Sequence, residues 1–290
     1  MWSLEAGRIM ALRFPMGGRQ YGHRGRFRLW PIILFGLFGV FYYFSNQETV
    51  PVTGRSQLVS MDRQQEMALG LASYREVLAK SDVVASGKAI DLVREIGQRI
   101  AKAAAADDPG FKWEYSVIRS DQANAFALPG GKVAIYTGIL PVAENADGLA
   151  VIMGHEIAHA IARHGAERMA QQQLLQWGQL AVGMAAGELD RQTQQMVMGA
   201  FGLGAQYGAL LPFSRKHESE ADYIGLIYVA RACFDPREAP KLWQRMARAT
   251  SGRGQPAEFM STHPSPDTRI RQFEEWMPEA LEVRRKSCGG

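Results

Sequence analysis

His155-Glu156-Ile157-Ala158-His159 is the stretch whose residue types and spacing could do chemistry most directly. It reads H-E-x-x-H and lies within a strong helical pattern. Side chains four apart on a helix share a face, so both imidazoles can reach one Zn²⁺. Glu156 projects beside them, where it can take a proton from water activated at the metal. A third ligand is needed. A histidine six residues beyond His159 is excluded, because position 165 is Gly165 and His164 is out of step. The other solution is a glutamate on a second helix, with Glu167, Glu188, Glu218 and Glu220 as candidates. Glu218 is distinguished by Asp222 four residues on, where a carboxylate can orient a ligand histidine through its free ring nitrogen. Glu220 has Ile224 in that place. Two histidines and one glutamate leave an open coordination position, the arrangement of a catalytic zinc, one per chain.

Three segments in order, HEIAH, HESEAD (His217–Asp222) and THPSPDTRI (Thr262–Ile270), resemble metallopeptidase family forty-eight, and Asn124–Leu140 is similar to its sheet-forming stretch. The likeness runs from about Ser60 to Phe273. It implies a helix-dominated, gluzincin-type zinc peptidase domain with His155, His159 and Glu218 on the metal and Glu156 as base. It also implies active-site roles for His263 and Arg269. In relatives the histidine of the HP motif lies over the site, either stabilising the oxyanion or capping the zinc in a latent state. Within the family, the chain is most similar to the envelope quality-control branch with one N-terminal membrane anchor.

The elements that must position these residues are mostly helical. Amphipathic patterns cover Met61–Lys80, Lys88–Ala105, Asp147–Gln173, Gln192–Gln206, Lys216–Arg231, Pro236–Ala249 and Pro266–Trp276, the third with Asp147 as N-cap. Lys112–Arg119 and Lys132–Thr137 alternate as strands on either side of a Pro129-Gly130-Gly131 turn. The class is α+β, helix-dominated, with a small sheet. An extended peptide could add to an exposed edge of Lys132–Thr137 through backbone hydrogen bonds with little sequence preference, the alternative being that this strand is interior. The apolar, glycine-rich stretch Met196–Leu211 reads as a buried helix packed closely on a neighbour, with a lid or a membrane-dipping segment as alternatives.

Charge divides the chain. Residues 1–28 hold six arginines against Glu5, whereas the remainder carries 27 basic and 28 acidic side chains. The body therefore gives no reason to expect nucleic acid. Leu29–Phe44 is an uncharged apolar run with aromatic residues at both ends, which reads as an uncleaved transmembrane signal anchor. Positive residues on its N-terminal side place the tail in the cytoplasm and export the rest. The expected organisation is a basic tail (1–28), an anchor (29–44), a linker (45–60), a peptidase domain (61–280) and a tail (281–290). Cys233 and Cys288 imply no framework.

The expected function is a membrane-anchored zinc endopeptidase for misfolded or damaged envelope polypeptides. It would face the periplasm from a bacterial inner membrane or, alternatively, the mitochondrial intermembrane space. The competing reading is a largely non-proteolytic chaperone or assembly factor with its metal capped by His263.

Overall fold

A computed structural model describes residues 26–251, 263 and 266–289, so most of the basic tail and of the Thr262–Ser265 turn lie outside the described residues. The architecture is helix-dominated α+β with two small sheets.

The apolar run forms α1 (Trp30–Ser45), with Pro31 in its first turn, where no backbone N–H is needed. Sixteen residues at 1.5 Å each give about 24 Å, short of a hydrocarbon core of about 30 Å. Among the described residues no helix is long and apolar enough to cross a membrane, so the expected single-pass span is not seen. Instead α1 lies along α6 (His164–Ala186), where Phe38 and Tyr42 each pack edge-on against Trp177 at 5.1 Å. Ile33, Leu37, Phe41 and Phe44 stay exposed. The stretch read as a linker contains a hairpin, β1 (Gln47–Thr49) with β2 (Ser56–Leu58).

Helix α2 (Arg63–Ala79) is capped by Asp62, and α3 (Lys88–Ala103) buries Ile90, Val93, Ile96 and Ile100 on one stripe. The second sheet has the order β3 (Glu114–Ile118), β5 (Lys132–Tyr136), β4 (Ala125–Leu128). β5 pairs parallel with β3 (Tyr115↔Val133) and antiparallel with β4 (Leu128↔Lys132). The tight β4–β5 turn needs left-handed backbone at Gly130 and Gly131 (φ +84° and +79°). This corrects the sequence reading: β5 is interior, paired on both sides, and cannot accept an added strand. Among the described residues the sheet's edges are β3, bridged at Ile118 by Val83, and β4.

After the single turn α4 (Leu140–Ala143), helix α5 (Ala146–Ile161) is capped two residues earlier than its pattern suggests, because the Asn145 side chain accepts the Gly148 N–H at 2.8 Å. Asp147 instead accepts the Asp235 N–H at 2.9 Å. The helix does not run on through residue 173. Arg163 adopts a left-handed conformation (φ +58°) and turns the chain into α6. Its buried guanidinium donates to Glu66 at 2.7 Å and Glu48 at 2.5 Å, which offsets the cost of that backbone.

Helix α7 (Arg191–Ala205) continues through one π turn (Gln206–Leu210) into α8 (Leu211–Arg231). The buried-helix reading of Met196–Leu211 fails in α7, which has no buried residue and exposes Met196 and Leu203. α9 (Glu238–Ser251) and α10 (Pro266–Cys288) complete the domain, and α10 carries on through 281–288. Cys288 at its end is disulfide-bonded to Cys233, just beyond α8.

Helices α5 and α8 form the centre of the molecule. They cross at Gly154 and Gly225, where a Cβ built on Gly225 would lie 2.8 Å from the Gly154 carbonyl carbon and the His155 nitrogen. Backbone-to-backbone contact at that point brings the HEIAH helix and the HESEAD helix together.

Candidate metal centre

His155 and His159 project from α5 towards α8, and Glu218 projects back from one turn N-terminal of Asp222. The geometry follows from helical period and the glycine crossing. Gly225 and Glu218 are seven residues, about two turns, apart, so they share the face turned to α5. All these groups are buried except His159, which is partly buried.

His155 Nε2 and His159 Nε2 lie 3.1 Å apart. Glu218 Oε2 is 3.4 Å from His155 Nε2, and its Oε1 is 3.4 Å from His159 Nε2. His263 brings Nδ1 to 3.1 Å from His155 Nε2 and 2.6 Å from Glu218 Oε2. Ligand atoms about 2.0–2.1 Å from one tetrahedral ion stand roughly 3.3 Å from one another. The cluster His155, His159, Glu218 and His263 fits that spacing, with one ligand atom from each within 4.8 Å of all the others.

The hydrogen bonds lead to the same place. His155 Nδ1 faces Asp222 Oδ1 at 2.9 Å, and His159 Nδ1 faces His164 Nδ1 at 2.9 Å. With those nitrogens committed outward, two Nε2 lone pairs and a carboxylate converge, and the cluster calls for a positive charge at its centre. Burial and Arg269 oppose charging of His155, but the hydrogen bonds it donates to the carboxylates of Asp222 and Glu218 push it up to about 9. Burial also disfavours ionised Glu218, yet His159, His155 and His263 hold it far below the usual carboxylate range. Burial drives His159 well down, keeping it neutral as a metal ligand must be.

Glu156 is arranged differently. Its Oε2 accepts the Ala127 N–H of the β4 edge at 3.2 Å, whereas Oε1 is buried, has no hydrogen-bond partner among the described residues and lies 3.5 Å from His263 Nε2. Burial raises its pKa against the pull of His263 and His155. A carboxylate with one tethered oxygen and one bare oxygen, biased towards holding a proton, is suited to take and return one.

Arg269 reaches the site from behind. Its Nε donates to Asp222 Oδ2 at 2.6 Å, Nη2 to Asp222 Oδ1, and Nη1 to Glu218 Oε2 at 3.3 Å. Its guanidinium stacks over Trp243, 3.5 Å from the ring centroid. Arg269 thus braces the carboxylates on α8.

Sequence reasoning missed the groups on the far side of His159. His164 Nε2 meets Glu220 Oε2 at 3.0 Å, His217 Nε2 meets Glu167 Oε2 at 2.8 Å, and the two rings stack at 4.5 Å. Arg55 bonds both carboxylates. Two glutamates set aside as ligands therefore do other work, and only an odd excess of histidines and acids around the motifs hinted at it. Glu188, the remaining candidate, is exposed and pairs with Arg28.

Comparison with known proteins agrees with this geometry. The description "Peptidase family M48" matches residues 90–277. The chain is 42% identical over 254 residues to the mitochondrial metalloendopeptidase OMA1 of Schizosaccharomyces pombe, covering 86% of this chain and 72% of that one. It is 34% identical over 260 residues to the human mitochondrial metalloendopeptidase OMA1, covering 86% and 49%. The beta-barrel assembly-enhancing protease of Escherichia coli is 27% identical over 235 residues, covering 79% and 47%. The chain thus spans about half the length of the last two. With both metal motifs inside the matched region, the chain belongs to peptidase family M48 and is a metalloendopeptidase of that family.

Proposed function

We propose that the chain is a zinc endopeptidase that cleaves misfolded or damaged polypeptides at an envelope membrane. The observation that carries this reading is the bare Oε1 of Glu156 beside the His155–His159–Glu218 cluster, under the edge strand β4. The nitrogen-rich donor set with one carboxylate suits zinc. When bound, zinc would supply Lewis acidity, polarising a carbonyl and acidifying water.

The chain's residues do the rest. An extended peptide lies along β4, using backbone groups, so that many sequences fit. The Ala127 N–H, now held by Glu156, is among the groups available to it. Glu156 takes the proton of the attacking water on Oε1 and returns it to the leaving amine. Asp222 fixes the ring of His155, and Arg269 acts as a positioning residue through Asp222 and Glu218.

The test is digestion of casein by the full-length chain in detergent with zinc, beside Glu156→Gln. Cleavage by the wild type alone, with both proteins binding one zinc, is the expected result. Equal cleavage by the variant would refute Glu156 as the base.

A second reading draws on His263, whose Nδ1 fills a ligand position and would close the site. Such a capped state is latent, and a chaperone or assembly role would then survive Glu156→Gln.

Membrane attachment through residues 29–44 belongs to the same proposal. It is supported by the outward apolar side chains of α1, together with exposed Leu180, Met184, Met196 and Leu203 on α6 and α7. The Cys233–Cys288 disulfide suits an oxidising compartment such as the bacterial periplasm or the mitochondrial intermembrane space. Resistance of the chain to alkaline extraction from membranes, lost when Ile33, Leu37 and Phe41 become Ser, would support it. Release of the wild type would not.

A further inference from the structure

The two metal histidines are held by different devices. The ring of His155 is fixed directly by a carboxylate, Asp222. Among the described residues His159 meets no carboxylate on its outer nitrogen, which faces the Nδ1 of His164 at 2.9 Å instead. That contact admits one assignment of protons when a metal is bound. With Nε2 of His159 on the metal, its Nδ1 must carry hydrogen and donate to His164. His164 then accepts on Nδ1 and carries its own hydrogen on Nε2, which donates to Glu220 Oε2 at 3.0 Å.

Glu220 is held in turn from outside α8. Arg55 Nε donates to its Oε2 at 2.8 Å, and the Thr53 hydroxyl donates to its Oε1 at 2.5 Å. Arg55 also grips Glu167 through both terminal nitrogens at 2.9 and 2.7 Å, and Glu167 accepts from His217, whose ring stacks on His164. Both Thr53 and Arg55 sit in the turn between β1 and β2, a segment that follows α1 and lies about a hundred residues before HEIAH. A four-member chain of hydrogen bonds thus runs from that hairpin to a metal ligand.

We infer that His164, Glu220 and Arg55 are positioning residues that fix the tautomer and orientation of His159, so that docking of the β1–β2 hairpin sets metal affinity. The inference rests on reading His155, His159 and Glu218 as metal ligands. Partners of this kind on metal-bound histidines typically change metal affinity or activity by about 10–100-fold when removed.

The experiment uses the full-length chain and compares wild type, His164→Phe, His164→Gln and Arg55→Ala. Zn²⁺ affinity is measured by competition with a chromophoric chelator, and ligand geometry by the visible spectrum of the Co²⁺ form. A glutamine side chain can accept from His159 and donate to Glu220 at nearly the spacing of an imidazole, whereas phenylalanine keeps the ring and can do neither. His164→Phe should lose roughly 10–100-fold in affinity and alter the Co²⁺ bands, while His164→Gln stays within about threefold of wild type with its spectrum. A role in folding alone would lower the melting temperature of the metal-free variants without separating Phe from Gln in either metal readout, and that result overturns the inference. Should His164→Phe fail to fold, Arg55→Ala carries the test, since its side chain is part-exposed at a hairpin turn. Weakened Zn²⁺ binding by that variant supports the relay, and wild-type affinity overturns it. A wild-type chain that binds neither ion defeats the metal reading itself, which separates that failure from failure of the relay.

Discussion

Replacing Gly225 with alanine should disable the metal centre without touching a ligand. The added Cβ would sit 2.8 Å from both the Gly154 carbonyl carbon and the His155 nitrogen, and 2.9 Å from the Gly154 oxygen. Ordinary contact begins near 3.4 Å, so α5 and α8 must separate by at least 0.6 Å at the crossing. The obstructing atoms are backbone and cannot rotate away. Glu218 rides on α8 two turns from the crossing, and His155 is bonded to one of the atoms displaced, so most of the separation reaches the ligand set. Metal sites tolerate about 0.2 Å in ligand distance, and overpacking a core typically costs about 1–3 kcal/mol. The expected outcome is a folded protein with a melting temperature lowered by several degrees and Zn²⁺ affinity reduced at least tenfold. Casein digestion should fall in proportion. Circular dichroism melts, chelator competition and the protease assay on one preparation separate these effects. Wild-type zinc affinity in a folded Gly225→Ala protein would refute the argument that this contact sets the ligand geometry.

Three further outcomes follow from the structure. His263→Ala should raise basal casein cleavage, because its ring occupies a ligand position in the resting site; lowered turnover with zinc still bound would favour the oxyanion role instead. Reduction of Cys233–Cys288, which closes a loop with a sequence separation of 55, should cost about 4 kcal/mol from chain entropy and lower the melting temperature by roughly 10 °C, and an unchanged melt in dithiothreitol would contradict this. Glu167 and Glu220 sit at about 2 despite burial, drawn down from 4.5 chiefly by His217 and Arg55 for the first and by His164 and Arg55 for the second. Because their folded values are depressed, their stabilisation is full above pH 4.5 and lost as pH falls through about 2. Thermal melts should therefore decline steadily over that range, with a shallower decline in Glu167→Gln, and a flat profile would contradict the assignment.

The chemistry of the site is legible because it depends on local spacing. A four-residue interval on a helix puts His155 and His159 on one face in any context, and the same interval ties Glu218 to Asp222 within α8. The buried stripe of α3 and the strand character of β3 and β5 are equally local, although both strands are buried almost continuously rather than at alternate residues. Periodicity does not carry pairing partners, so β5 could be recognised as a strand but not as the interior one. It also does not register a single left-handed residue, and Arg163 divides a pattern that reads as one helix from 147 to 173. Met196–Leu211 has the composition of a core helix, yet α7 buries none of its residues, because burial depends on which neighbours arrive.

By itself the sequence determined the donor types, their order along the chain and the helices that carry them, since covalent order and helical period require no distant partner. Tertiary structure alone decided that His263 Nδ1 comes within 3.1 Å of His155 Nε2, that Arg269 braces Asp222 and Glu218 from behind, and that Arg55 in a supposed linker reaches His159 through Glu220 and His164. Apart from His159 with His164, five positions apart, each of those contacts joins residues tens to more than a hundred positions apart, so tertiary packing around the α5–α8 crossing is needed to bring them within hydrogen-bonding reach.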